Sequence, residues 1–161
     1  MLEQEGRAMQ NDEEMSTGLL VAGFMLGTSD FGVDARLVLE VVKVGDVTRV
    51  HDAPPGVIGI RNLRGRIVTI VDMAAHLDLG SVETGPETRL LIMEHEDETF
   101  GFLVDSVTEA LSMDADQLES SSSSLYSALK NRLLGVWRDG ERLIAIVDPH
   151  ALFQWDKRTG S

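Results

Sequence analysis

The chain has 161 residues, enough for one domain or two very small ones, and its 43% hydrophobic and 25% charged residues are the proportions of a folded globular protein. Fourteen Lys and Arg stand against 27 Asp and Glu, a formal net charge of −13. That argues against duplex nucleic acid and anionic membranes as partners, since both are met with a Lys/Arg-rich face, and the lack of Cys excludes disulfides, thiolate nucleophiles and Cys-ligated metal sites.

Residues 1–17 hold Glu3, Glu5, Asp12, Glu13 and Glu14, the reverse of a basic signal-peptide start. They are expected to form a disordered acidic tail. The apolar run at 19–26 contains Gly23 and falls far short of the roughly 18 residues a spanning helix needs. No direct membrane insertion is expected, and the chain is placed in the cytoplasm. From there the sequence reads mostly as strands. Residues 66–71, 89–93, 100–104 and 142–147 are short runs rich in Val, Ile and Leu, bounded by Gly or acidic turn residues. Asp72 suits the N-cap of a short helix over 73–79, with Gly80 as its stop. The five serines at 120–124 read as a flexible loop, and 125–134 has a helix-like apolar spacing. Asp139-Gly140 between 133–138 and 142–147 predicts a hairpin, because Asp-Gly suits the positive-φ pair of a type I′ turn. Asp148 followed by Pro149 repeats the cap signal ahead of a helix over 149–155, and 156–161 are a second tail.

The chain also resembles itself. A shift of 76 residues lays Gly59 on Gly135, Arg66 on Arg142, Ile70 on Ile146, Val71 on Val147 and Asp72 on Asp148. A weaker echo at a shift of 69 lays Phe31-Gly32 on Phe100-Gly101, Val38 on Val107 and Glu40 on Glu109. Two copies of a unit with about five short strands predict an all-β fold of two small barrels packed side by side with a few short helices. Residues 18–155 then form a single domain of two barrel subdomains, with a boundary near 80–88 and strands free to cross between the halves. Thin cores in units this small require the barrels to bury apolar surface on each other.

The turn Asn62-Leu63-Arg64-Gly65 between two apolar strands, the second ending in Asp72, resembles the hallmark of the CheW-like domain of bacterial chemotaxis. Phe31-Gly32-Val33-Asp34, Val38-Leu39-Glu40-Val41, the run 100–107, and Leu134-Gly135-Val136 with 143–148 follow in the family's order, so the resemblance spans about 19–155. It implies two five-stranded SH3-like barrels with a third apolar core between them. It also implies a non-enzymatic adaptor, cytoplasmic and recruited to membrane receptor arrays through its partners. Those partners are the cytoplasmic tip of methyl-accepting chemoreceptors and the regulatory domain of a CheA-type histidine kinase. The resemblance assigns receptor binding to Val38, Glu40, Arg64, Gly65 and Val107, with Gly59, Gly101 and Gly135 as structural turns near the binding face. Thr69 stands where the family often has Pro, and Arg61 adds positive charge near Arg64.

The residues themselves allow plainer readings. Arg64 beside Gly65 can present its guanidinium fork with Glu40 holding it, or be a solvated turn residue. Val38 and Val107 can line a groove or belong to the core. His51, His76, His95 and His150 form no i, i+4 pair. His95 between Glu94 and Glu96 is a weak metal candidate against a solvated strand end. The serine run lacks a Gly-flanked elbow, and Asp72 and Asp148 precede short helices, where capping accounts for them. No catalytic residue, metal or cofactor is assigned. A small metal-assisted hydrolase is the remote alternative. The nearer one is a competing adaptor that occupies receptor or kinase sites without activating the kinase.

Overall fold

The computed structural model describes residues 18–120, 129 and 131–155. The expected tails at 1–17 and 156–161, the serine loop beyond Ser120 and most of the helix-like stretch at 125–134 lie outside the described residues.

Strands dominate. They are β1 (Gly18–Leu26), β2 (Ser29–Asp34), β3 (Glu40–Lys43), β4 (Thr48–Arg49), β5 (Val57–Leu63), β6 (Arg66–Asp72), β7 (Arg89–His95), β8 (Glu98–Val104), β9 (Ser106–Asp114), β10 (Leu118–Glu119), β11 (Leu133–Asp139) and β12 (Arg142–Val147). Two one-turn helices, α1 (Met73–His76) and α2 (Pro149–Leu152), follow β6 and β12. The predicted capping holds: Asp72 accepts from the Ala75 N–H at 3.1 Å and Asp148 from the His150 N–H at 3.0 Å. Both helices are shorter than the sequence suggests. Asp78 takes a positive φ of 60° just past the first. After the second, Phe153 and Trp155 leave the helical path to pack on Phe100, with ring centroids 5.7 and 5.3 Å away.

The first sheet has the order β10-β11-β12-β2-β1-β9 and the second β3-β7-β8-β6-β5-β4. Each therefore has six strands, one more than expected, the additional strand being the two-residue β4 or β10. The β11–β12 hairpin forms where Asp139-Gly140 predicts it. Its central pair is Gly140-Glu141, however, because Asp139 pairs with Arg142, and Gly140 takes a φ of 65°.

The sheets do not divide the chain at 80–88. The first combines β1 and β2 with β9–β12, and the second combines β3–β6 with β7 and β8. Each sequence copy thus gives its opening hairpin to the other. The two repeat shifts describe the same exchange in register. Ile70 lies beside Gly101 in the parallel β6–β8 pair, and Ile146 beside Gly32 in the parallel β12–β2 pair.

Burial follows the exchange. One apolar cluster takes Phe24, Phe31 and Val33 from the first sheet together with Ile70, Leu90, Met93 and Phe102 from the second. A smaller cluster of Val21, Met113, Trp137, Ile144 and Ile146 fills the first barrel. At about 1.5–3 kcal/mol per fully buried large side chain, the cluster that spans both sheets makes the barrels one cooperative body.

Candidate interaction surface

The Asn62–Gly65 turn is a tight hairpin. Leu63 pairs with Arg66, so Arg64-Gly65 is a two-residue loop. Both central residues have positive φ, 51° at Arg64 and 88° at Gly65, the signature of a type I′ turn. The Asn62 Oδ1 accepts from the Gly65 N–H at 2.8 Å and locks the loop. Arg64 is the unusual member, because an L-residue in the left-handed region costs roughly 1–2 kcal/mol. Its side chain is 66% exposed and its Nη2 donates to the Glu40 Oε2. Glu40 opens β3, on the far edge of the second sheet.

A second ion pair stands beside the first: the Arg66 Nη2 donates to the Glu94 Oε2 at 2.7 Å. The register explains the convergence. Glu40 lies opposite Ile92, and Glu94, two residues on, lies opposite Thr99. Thr99 lies beside Val68, two residues after Arg66. Side chains two apart share a sheet face, so Glu40, Glu94 and Arg66 lie on the face of Ile92, Thr99 and Val68, all buried. They rim the end of the second barrel, with Arg64 at the adjoining turn. Leu39 and Ile67, 55% and 58% exposed, are large apolar side chains next to these charges in the chain.

Val38 follows a 3-10 turn (Ala35–Leu37) started by Asp34, whose carboxylate accepts from the Arg36 N–H at 3.0 Å. The Arg36 guanidinium bonded to it holds the Asp34 carboxyl below its ordinary range. Val107 lies opposite Phe24 in the β1–β9 pair. The turn carrying Val38 contacts β1 too, and both valines are half-buried against the main apolar cluster. The three glycines read as turns lie inside strands. Gly101 is in β8, where a Cβ would meet Ile70, Val68 and Ile92 at 3.2–3.3 Å. Gly59 and Gly135 occupy bulges in β5 and β11. A Cβ there would come 2.0 Å from the Thr48 carbonyl oxygen and 2.7 Å from that of Glu119. They admit the two-residue edge strands.

Arg61 is engaged with backbone rather than with Arg64's surroundings, donating to the Lys43 and Val44 carbonyls at 2.7 and 3.1 Å. Thr69 sits mid-sheet, paired on both sides with Ile60 and Phe100. The sequence reading missed Arg66–Glu94, since the two residues lie on strands whose adjacency no local pattern encodes. It also missed an aromatic cluster. The His76 ring lies 5.0 Å from Trp155 and 6.1 Å from Phe102. The His76 Nε2–H is shared between the Ala151 and Leu152 carbonyls at 3.0 and 2.9 Å, tying α1 to α2. Burial pushes the His76 pKa below its ordinary value, against the pull of those carbonyls.

His95 stacks on Phe153 at 4.3 Å and lies 3.8 Å from the Glu96 carboxylate. Asp72 also accepts from the Val82 N–H at 2.9 Å, which commits both its oxygens to backbone. Among the described residues no group of three or more His, Asp or Glu converges as a metal site, and no helix is long and apolar enough to cross a membrane.

Residues 20–157 match the family model described as a CheW-like domain. The chain is 27% identical over 154 residues to the chemotaxis protein CheW of Helicobacter pylori, covering 96% of this chain and 93% of that protein. It is 30% identical over 125 residues to the chemotaxis protein CheW of Klebsiella aerogenes, covering 78% and 75%. Among solved structures it is similar to the scaffolding protein TtCheW from Thermoanaerobacter tengcongensis. The TM-score is 0.74 at 26% identity, over 84% of this chain and 88% of that one.

Proposed function

The chain belongs to the CheW-like domain family, and from that membership we propose that this non-enzymatic chemotaxis scaffold couples chemoreceptors to a CheA-type histidine kinase. The observation that carries the reading is the exposed Arg64, held at positive φ on a locked turn and steadied by Glu40. Positive φ alone does not mark the site, since Asp52, Asp78, Glu96 and Asp97 share it. Arg64 adds an exposed guanidinium fork aimed by a single carboxylate, the geometry suited to recognising a second one. Val38, Glu40, Arg64, Gly65 and Val107 form the receptor-facing edge: half-buried valines give an apolar floor, and the ion pair sets register for a docked helix. The kinase regulatory domain occupies a different surface. Localisation follows from contact, the protein being held at membrane receptor arrays by its partners. Coupling requires the two signalling states of the receptor to differ in contact energy at this edge, not mere tethering.

Titration calorimetry against a chemoreceptor cytoplasmic fragment and the isolated regulatory domains of the same genome's CheA-type kinases tests the reading. Saturable binding to one kinase and to the receptor fragment is expected, and Arg64→Glu weakens only the receptor interaction. Equal loss of both by a folded variant overturns the site assignment, and no binding to either overturns the function. A reconstituted kinase assay then separates an activating coupler from a competing adaptor.

A further inference from the structure

Arg66 and Glu94 stand one strand along from the pair just assigned to receptor contact, and five of the nine arginines among the described residues are held by two or more hydrogen bonds elsewhere. Arg36 grips Asp34 through Nε and Nη2. Arg61 and Arg89 each donate to two backbone carbonyls. Arg132 donates to the Leu77 carbonyl and Asp78, and Arg142 to Asp30 and Glu109. Among the described residues Arg49 makes no side-chain hydrogen bond and Arg138 only a loose ion pair with Glu119 at 3.6 Å, so neither is oriented. Arg64 and Arg66, two residues apart, are each aimed by one hydrogen bond through Nη2 alone and remain 66% and 58% exposed. A guanidinium has five N–H donors in a fixed planar fork. One carboxylate oxygen on one nitrogen orients that fork and leaves most of it open.

Charge distribution points the same way. In a chain of formal charge −13, three of the 14 Lys and Arg fall between 61 and 66. Arg61 is spent on backbone, so the hairpin presents two open guanidinium groups on an otherwise acidic protein. An exposed ion pair contributes only about 0–1 kcal/mol to folding, so stability gives little reason for the second pair.

We propose that Arg66 is a specificity-determining contact, positioned by Glu94, for a carboxylate on the protein segment that docks at the Arg64 edge. This rests on the proposed docking there and adds its chemistry. Two guanidinium forks on one barrel end select a partner with two suitably spaced acidic side chains, each able to bond bidentately. A partner with basic residues at those positions is rejected.

The decisive variant is the double exchange Arg66→Glu with Glu94→Arg, which keeps the ion pair and reverses its polarity. Binding is measured by calorimetry on the full chain against a chemoreceptor cytoplasmic fragment at low and moderate salt, beside Arg64→Glu, Arg66→Gln and Arg66→Lys. The exchange is expected to weaken binding about tenfold or more with an unchanged melting temperature. Arg66→Lys, which keeps the charge and loses the fork, falls between it and the unaltered protein. Salt sensitivity of the affinity falls with each guanidinium removed. Arg66→Gln carries the test if the exchange fails to fold. Unaltered affinity in the exchange or in Arg66→Gln, with Arg64→Glu weakened, overturns this proposal and leaves the docking edge standing. Unaltered affinity in all, Arg64→Glu included, overturns the edge itself.

Discussion

Replacing Arg64 with Asn should leave the protein as stable as before, or slightly more so, while it loses receptor binding. Arg64 sits at a φ of 51° with Gly65 at 88°. The left-handed conformation costs an ordinary L-residue roughly 1–2 kcal/mol, and Asn is among the few that adopt it readily. Asn-Gly is also a favoured pair for a type I′ loop. Recovering about half of that strain gives about 0.5–1 kcal/mol. Against it stands the lost pair with Glu40, both side chains substantially exposed, at about 0.5 kcal/mol. The net lies between zero and about 0.5 kcal/mol in favour of the variant. For a domain of this size that is a rise in melting temperature of no more than about 2 °C. Thermal and urea melts give the stability, and calorimetry against the receptor fragment gives the binding. A variant destabilised by more than about 1 kcal/mol would show that the Arg64–Glu40 pair clasps the fold. A variant that binds as tightly as the original would remove Arg64 from recognition. Only unchanged stability with lost binding fits strain retained for function.

Gly59→Ala should destabilise more than Gly135→Ala, because the new methyl would meet the Thr48 carbonyl oxygen at 2.0 Å rather than the Glu119 carbonyl oxygen at 2.7 Å. Both obstacles are backbone, so a loss of about 1–3 kcal/mol is expected for each, and melts showing neither effect would mean that the edge strands yield freely. His76 predicts a pH dependence. Burial depresses its folded-state pKa below the unfolded value near 6.5, so the unfolded chain takes up the proton first as pH falls. Its contribution is complete above about pH 6.5 and is lost as pH drops from there toward the folded-state pKa. The depressed Asp34 carboxyl acts in the same direction, but only below its ordinary value near 3.8. The loss of stability between pH 7 and 5 should therefore shrink in His76→Gln; identical pH profiles would exclude the imidazole as its source.

Much of the fold was legible because local rules and tertiary contacts agreed. Asp72 and Asp148 cap helices where a carboxylate stands before a helical turn. The equivalence of Gly59 and Gly135 is real in three dimensions, with a bulge facing a two-residue edge strand in both sheets. Strand exchange was not legible as such. A repeat shows that two units are alike, whereas which hairpin completes which sheet depends on pairings such as Phe31 with Ala145, more than a hundred residues apart. The helix over 149–155 failed for a tertiary reason, since burial of Phe153 and Trp155 against Phe100 outweighs propensity in so short a segment. The Arg64 turn was legible because its conformation is encoded in four consecutive residues. The Arg66–Glu94 pair was not, because it is encoded only in the order of strands β6, β8 and β7.

The exchange gives the proposed docking edge a mechanical meaning. The chain passes from the first sheet to the second between β2 and β3, and returns between β8 and β9. Val38 lies in the first crossing and Val107 two residues beyond Asp105, the residue between β8 and β9. The weaker repeat makes the two valines counterparts. Both crossings are pinned. Leu39 N–H donates to the Ile92 carbonyl at 2.8 Å on the first. On the second, Asp105 N–H donates to the Met25 carbonyl at 3.1 Å while its carboxylate accepts from the Gly27 N–H at 2.7 Å. A helix laid against Val38, Val107 and the Glu40–Arg64 pair would bear on both segments through which one barrel is covalently joined to the other. A change in how it packs there would be felt as a change in the relation of the barrels, since densely packed interiors transmit displacement rather than absorb it. A partner bridging both barrels would then have a contact energy that depends on the receptor's state, which is what coupling demands.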